Sequence, residues 1–271
     1  MDQRSKKLRA LIVKALEGGG RGHLGSSMSL VEILRVLFDS FLRYRPDDHL
    51  WSGRDRLILS KGHGCLALYA LLADKGFFDE SELETFCHLD SRLGGHPERL
   101  KLPGIEASTG ALGHGLPMGV GMALAARMKG QDQRVVVIVG DGEINEGSNW
   151  EAAMSASKHR LENLVVMVDY NKLQSYGLTS EVLDLEPLCD KWTSFGFQTV
   201  EIDGHSVAEL EETLAALPLA SGKPSAIICH TIKSKGFPFA EGKPEWHHKS
   251  GFKEEDIAAM YECLKEYLTI E

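Results

Sequence analysis

Asp141 ends one apolar run of this 271-residue chain and Asn171 ends the next. Residues 135–139 (VVVIV) are continuous and β-branched, and Gly140-Asp141-Gly142 breaks them. Residues 146–158 have helical propensity, with small residues on one side. Residues 164–169 form a second apolar run, closed by Tyr170-Asn171. Unbroken apolar strands are those buried on both faces of a parallel sheet. A βαβ unit brings the carboxyl ends of two such strands to one edge. Neighbouring strands lie about 4.8 Å apart. Two oxygen-bearing side chains at that spacing can share a hard cation, with ligand bonds of about 2.1 Å for magnesium. The plainer reading makes Asp141 a helix cap and Asn171 a turn residue.

Histidine supplies a second pattern. Glycine precedes His23, His63, His96, His114 and His205. The composition predicts about one such pair by chance. Glycine lets backbone approach a ligand closely, and imidazole moves a proton near neutral pH. A single histidine in a turn is usually solvated or capping. Five glycine–histidine pairs point to a polar ligand with phosphates or hydroxyls.

The elements that position these residues alternate along the chain. Helical patterns cover residues 5–16, 29–41, 65–74, 79–88, 116–128, 146–158, 185–192, 209–217 and 254–268. Strand patterns cover 56–59, 135–139, 164–169, 198–202 and 225–230. Asp79 caps its helix, Pro117 opens the first turn of another, and Pro218 stops the one before it. The alternation predicts an α/β doubly wound parallel sheet flanked by helices, with residues 1–271 as a single domain. Ligands of such sheets bind at the carboxyl ends of the strands. The glycine-rich turns that follow strands fall at that edge.

Composition excludes other classes. The formal net charge is −9 with no basic block, which argues against nucleic acid. No apolar run approaches the roughly 18 residues that cross a membrane. The basic N-terminus reads as an amphipathic helix, interrupted by Lys14 and Glu17, and not as a signal peptide. Five widely spaced cysteines, with no C-x-x-C, read as free thiols in a reducing cytoplasm.

The stretch GDGEINEGSNWEAAMSASKHRLENLVVMVDYN resembles the thiamin diphosphate motif, GDG followed some 25–30 residues later by Asn. Around it, GRGHLG, SKGHG, SRLGGHPE, LPGIEASTGALGHGL and KSKGFPFAEGKPEWHHK resemble the N-terminal segment of transketolases, in the same order and over nearly the whole chain. The related 1-deoxyxylulose-5-phosphate synthases share GDG but lack His-Pro-Glu. The resemblance implies a thiamin diphosphate-binding fold in which the chain is the diphosphate-binding domain. It implies that Asp141, the side-chain oxygen of Asn171 and the carbonyl of Leu173 hold Mg2+, or another divalent cation such as Ca2+ or Mn2+. Gly142, His63 and His247 would contact the diphosphate, and Gly110, Leu112 and Gly113 would approach the cofactor rings. His23, His63, His96 and His247 match active-site histidines, with His96 placed to hold the donor's C1 hydroxyl. Glu146 would either join a carboxylate network across a subunit interface or serve as an acid at a helix N-terminus. Two positions depart from the family: Leu24 stands for the proline of Gly-His-Pro-Gly, and His248 stands for the glycine after His247.

A full transketolase has two further domains, one carrying the glutamate that activates the cofactor's pyrimidine ring, and no motif here matches them. The expectation is therefore one subunit of a split transketolase of pentose phosphate metabolism. It would act on sugar phosphates in an α2β2 assembly with a separate C-terminal subunit that carries the pyrimidine-binding domain. The small residues Gly119, Gly121, Ala123, Ala125 and Ala126 would serve either that interface or tight helix–sheet packing. The alternatives are a subunit of another thiamin diphosphate enzyme, either a specialised ketose transferase or a 2-oxo acid dehydrogenase type, and a non-catalytic relative of the fold.

Overall fold

In the computed structural model, which describes residues 1–265, the apolar runs become the middle of a five-stranded sheet. The chain opens with α1 (Gln3–Gly19), a two-residue strand β1 (Arg21–Gly22), α2 (Leu24–Met28) and α3 (Val31–Val36). Then come β2 (Arg56–Leu59), α4 (Cys65–Asp74), α5 (Gly115–Met128), β3 (Val135–Gly140), α6 (Gly147–Lys158) and β4 (Leu164–Tyr170). Next are α7 (Thr179–Val182), α8 (Leu188–Ser194), β5 (Gln198–Asp203), α9 (Val207–Ala215) and β6 (Ser225–His230). The short β7 (Lys249–Ser250) and α10 (Glu254–Lys265) close the described chain. The sheet order is β2-β3-β4-β6-β5, and every neighbouring pair is parallel.

β3 and β4 are buried along their whole length. Side chains alternate across a strand, so one apolar run feeds two cores. Val136, Ile138, Val165 and Met167 join one core with residues of α1, α3, α4, α9 and α10. Val135, Val137, Val139, Val166 and Val168 join the other, with residues of α5, α6 and α8. Helices on both faces make the sheet doubly wound, as the alternation predicts. Each fully buried valine or isoleucine contributes roughly 1.5–3 kcal/mol.

α5 divides its small residues between two tasks. A Cβ on Gly119 would fall 2.3 Å from Val137 Cγ2, so this glycine brings helix and sheet together. Ala123 and Ala126 are buried as well. Gly121 and Ala125 face outward, and a Cβ on Gly121 would meet nothing within 4 Å.

Several boundaries differ from the sequence expectation. The helix expected over 29–41 starts earlier and breaks at Ser29. That hydroxyl turns inward to Asp169 Oδ2 at 2.6 Å, and the remainder ends in a wide turn over Leu37–Phe41. Asp79 does cap, accepting from Ser81 N at 2.8 Å. The turn it starts is a 3-10 helix over Glu80–Thr85, because Phe86 is extended and Cys87 has a φ of 59°. The helix expected over 185–192 begins at Leu188, because Pro187 disfavours helical backbone just before it. α6 starts at Gly147 with Glu146 as its cap residue. The expected end of the last helix, at residue 268, lies outside the described residues.

The short α7 and the two strands β1 and β7 had no counterpart in the sequence reading. β1 and β7 pair antiparallel, with Arg21 opposite Ser250 and Gly22 opposite Lys249. This ribbon carries the C-terminal loop across to the start of α2.

Candidate active site

The register of β3 and β4 sets Gly140 beside Asp169, so Asp141 and Asn171 leave the sheet at the same edge. Asp141 is buried, and both its oxygens accept backbone N–H groups, from Gly142 at 2.7 Å and Lys172 at 2.6 Å. No lysine or arginine forms an ion pair with it among the described residues. Burial, reinforced by the charge of Asp169, pushes its carboxyl up to about 6. Lys172 adopts a left-handed conformation with φ 65°, which turns the chain sharply after Asn171. Asn171 Oδ1 accepts from Leu173 N at 3.1 Å. The Leu173 carbonyl accepts from the buried Lys233 ammonium at 2.7 Å. Burial and the nearby Lys61 charge depress that ammonium to about 8.

These atoms open on a cleft of 460 Å³ lined by His23, His63, His96, Gly110, Leu112, Gly142, Glu146 and His247, along with Asp141, Asn171 and Leu173. Its residues fit a cation-bridged diphosphate in several respects. Asp141 is a buried carboxylate with no cation partner, and the Leu173 carbonyl already takes a positive group. His247 Nδ1 and Gln174 Nε2 are buried polar atoms without a partner. A Cβ on Gly142 would press on Gln174 Cγ at 3.0 Å, so the bare backbone keeps that space open. Among the described residues no cluster of three or more His, Cys, Asp or Glu is placed to hold a metal. A seat built from one carboxylate, one amide and one carbonyl has no such cluster.

Four histidines line the same cleft. His23 is the hub: its ring centroid lies 5.5 Å from His63, 6.0 Å from His96, 5.3 Å from His247 and 4.5 Å from His248. His63 and His247 are 5.6 Å apart. Burial, then the charges of neighbours, lowers His23 and His247 to about 3. Burial holds His63 well below the ordinary range and lowers His96 and His248 too. All five are therefore neutral at pH 7. His247 Nε2 is tied to Ser175 Oγ at 3.0 Å.

Glycines let the loops meet here. Gly110 has φ 130°, and a Cβ on it would sit 2.6 Å from His96 Cδ2, so the ring lies against bare backbone. A Cβ on Gly62 would strike Gly110 N at 2.7 Å, so the turns carrying His63 and Gly110 touch. Gly113, with φ 82°, passes within 2.6 Å of Glu146 Cβ by the same measure. Glu146 itself is exposed at the start of α6 and makes no side-chain capping bond. Of the five glycine–histidine pairs, the first three supply the cleft. His114 is exposed and bonds the Leu112 carbonyl at 3.2 Å. His205 lies elsewhere, between Glu32 Oε2 and Ile232 N, each at 2.9 Å.

Three residues in the cleft wall and just behind it escaped the sequence reading. Lys61 and Asp169 form a buried ion pair. Asp169 also accepts from Ser29 Oγ at 2.6 Å and from Thr231 Oγ1. Glu143 accepts from Gly113 N and Gly140 N, each at 3.0 Å, and from Ser60 Oγ, which locks three turns together. Charged residues at the end of apolar runs, in SKGHG, GDGE and VVMVD, were the available signal.

Comparison with known proteins identifies the family. The family model described as transketolase, thiamine diphosphate binding domain, matches residues 2–266. The chain is 42% identical over 269 residues to an apulose-4-phosphate transketolase subunit of Actinobacillus succinogenes, covering 98% of this chain and 97% of that protein. It is 41% identical over 266 residues to a 6-deoxy-6-sulfo-D-fructose transketolase subunit of a Clostridium species, covering 98% and 97%. Among solved structures, the transketolase of Leishmania mexicana superposes with a TM-score of 0.90 at 33% identity, covering 97% of this chain. The chain spans only 41% of that enzyme's length. Sequence and fold agree: the chain belongs to the transketolase family and corresponds to its thiamine diphosphate binding domain.

Proposed function

We propose that this chain is the diphosphate-binding subunit of a split transketolase. With a separate subunit carrying the pyrimidine-binding domain, it transfers a two-carbon ketol unit from a ketose phosphate to an aldose acceptor. The observation that carries this reading is the shared cleft: Asp141 and Asn171, from adjacent strands, line it together with His23, His63, His96 and His247. Relatives that it matches almost end to end are themselves named as subunits, which supports a separate partner.

Asp141, Asn171 Oδ1 and the Leu173 carbonyl are the residues that would hold magnesium, or calcium or manganese in its place. Gly142, His63 and His247 would take the diphosphate, and Gly110, Leu112 and Gly113 would meet the rings through backbone. When bound, thiamine diphosphate supplies a nucleophilic carbon and an electron sink for breaking the bond beside a ketose carbonyl. The chain's own residues bind the sugar and handle protons. A neutral imidazole offers one donor and one acceptor. His23, His63 and His96 thus bind sugar hydroxyls, with His96 taking the donor's C1 hydroxyl. A ring nitrogen accepts the hydroxyl proton released as the C2–C3 bond breaks and returns it when the new bond forms. An anion bound in the cleft would favour the protonated forms of the histidines beside it.

The assembly is α2β2, with Glu146 in a carboxylate network between protomers and the outward side of α5 at Gly121 and Ala125 open to close approach. The chain works as a single domain. Cys65, Cys87, Cys189 and Cys229 are free thiols, which supports a reducing compartment such as the cytoplasm. No helix of the described residues is long and apolar enough to cross a membrane. The test is to co-purify the chain with its native partner and assay transfer from xylulose 5-phosphate to a panel of aldoses, with and without thiamine diphosphate and magnesium. Cofactor-dependent transfer is the expected result, and its absence from the assembled complex refutes the reading.

A further inference from the structure

His96 is exposed, and its imidazole carries no hydrogen bond among the described residues. The ring rests on the bare backbone of Gly110 and faces His23 at 6.0 Å. A ring without a bond of its own is aimed by its backbone. The backbone of residues 93–97 is gripped from two sides. Thr109 N, from the turn that contains Gly110, donates to the Pro97 carbonyl at 3.1 Å. On the other side stands α4. Its Cys65 and Tyr69 are four residues apart and share a face. The Cys65 thiol donates to the Gly95 carbonyl at 3.2 Å. The Tyr69 hydroxyl lies 3.0 Å from the carbonyl oxygens of both Gly94 and His96. A phenol has one proton, so these two acceptors share it.

Tyr69 is fully buried, and its ring packs against Phe86, which fixes the direction of the hydroxyl. Burial pushes both the Cys65 thiol and the Tyr69 phenol up, so each keeps the proton it donates. α4 also runs on directly from the turn that carries His63. One helix thus presents one cleft histidine at its start and grips the loop of another from its second turn. We propose that Tyr69 is a positioning residue of the active site: its hydroxyl, shared between the carbonyls of Gly94 and His96, fixes the His96 imidazole relative to His63 where the ketose donor is held. This rests on the ketol-transfer reading above. Tyr69 itself does not line the cleft, and it acts on the sugar only through the backbone of His96. In the sequence it stands inside an apolar helix and reads as core.

The experiment uses the enzyme assembled with its native partner, thiamine diphosphate and magnesium, with xylulose 5-phosphate as donor. Tyr69→Phe removes one oxygen and keeps the ring. It should lower kcat about tenfold, as a small misplacement of a reacting group does, and leave cofactor affinity as in wild type. A general loosening of the core would lower kcat whether or not His96 is present. The discriminating variant is therefore Tyr69→Phe/His96→Ala. Against His96→Ala alone its kcat should fall by less than about twofold, because the positioned group is already gone. A second readout does not depend on turnover: nitrogen NMR of the full chain labelled at histidine. The His96 ring resonances are assigned by their loss in His96→Ala. Tyr69→Phe should move them and leave in place those of His205, which lies elsewhere. An unchanged kcat, losses that multiply in the double variant, or unmoved His96 resonances would each overturn the proposal and leave the ketol reading standing. If wild type transfers no ketol unit from any donor, the ketol reading fails instead, and the resonances decide whether Tyr69 holds the ring.

Discussion

Lys61→Met is the sharpest test of how the site is held together. Lys61 follows β2 and Asp169 lies near the end of β4, while β3 runs between them. The lysine chain passes over Gly140, where a Cβ would sit 3.6 Å from Lys61 Cβ, and its ammonium meets Asp169 on the far side. Their side chains are 1% and 0% exposed. The pair fixes the His63 turn relative to Asn171, two residues beyond each partner. Removing the cation leaves Asp169 with its Ser29 and Thr231 hydroxyl donors but with an uncompensated buried charge, at a cost of about 3–5 kcal/mol. Asp169→Asn strands the lysine instead, at a similar cost. The double variant Lys61→Met/Asp169→Asn buries no charge, and the amide oxygen still accepts from a hydroxyl, so the loss falls to about 1–2 kcal/mol. The three variants are compared by urea unfolding at pH 7. Tryptophan emission is the probe, because Trp192 is fully buried. Single losses that sum to the double loss within about 0.5 kcal/mol would refute the coupling.

Asp141→Ala should abolish magnesium-dependent binding of thiamine diphosphate, measured by calorimetry, and leave the circular dichroism spectrum unchanged; unaltered affinity would remove Asp141 from the metal seat. His96→Ala should keep cofactor affinity within severalfold and lower turnover at least about tenfold, as the loss of a positioned proton carrier does; lost cofactor binding would instead move His96 out of the donor site. For Glu32, burial opposes ionisation, yet His205 and the Arg9 guanidinium hold its carboxyl well below the usual range. A depressed folded pKa gives stability that is present above the unfolded value of 4.5 and is lost as pH falls below it. Glu32→Gln should therefore lose stability at pH 7 and show a flatter acid limb in unfolding midpoints measured from pH 7 to 3; an unchanged acid limb would assign the acid sensitivity to other groups.

Much of the site was legible because its signals are local. A β-branched run bounded by Gly-Asp-Gly can hardly be anything but a buried strand and its turn, so Asp141 and Asn171 were placed at strand ends by pattern alone. Glycine before histidine marks turns that can present a ring, and His23, His63 and His96 do line one cleft. The same signal failed for His205, whose ring serves the loop at Ile232. Nothing in a glycine–histidine pair tells which cavity the ring will face. Helix starts shifted where a side chain found a distant partner, as Ser29 did with Asp169.

The sequence by itself determined the strands, the buried character of β3 and β4, which residues stand at their ends, and the family. Those properties depend on composition over a few residues and on the order of the motifs. Only the tertiary structure decided which distant residues share a space. It paired Arg21 and Gly22 with Ser250 and Lys249, and so set His248 beside His23. It threaded Lys61 across Gly140 to Asp169, and it separated the inward Gly119 from the outward Gly121 on α5. The physical reason is that a local pattern fixes backbone conformation and which side is apolar. Contacts between segments far apart in the chain depend on how the two cores close around the sheet.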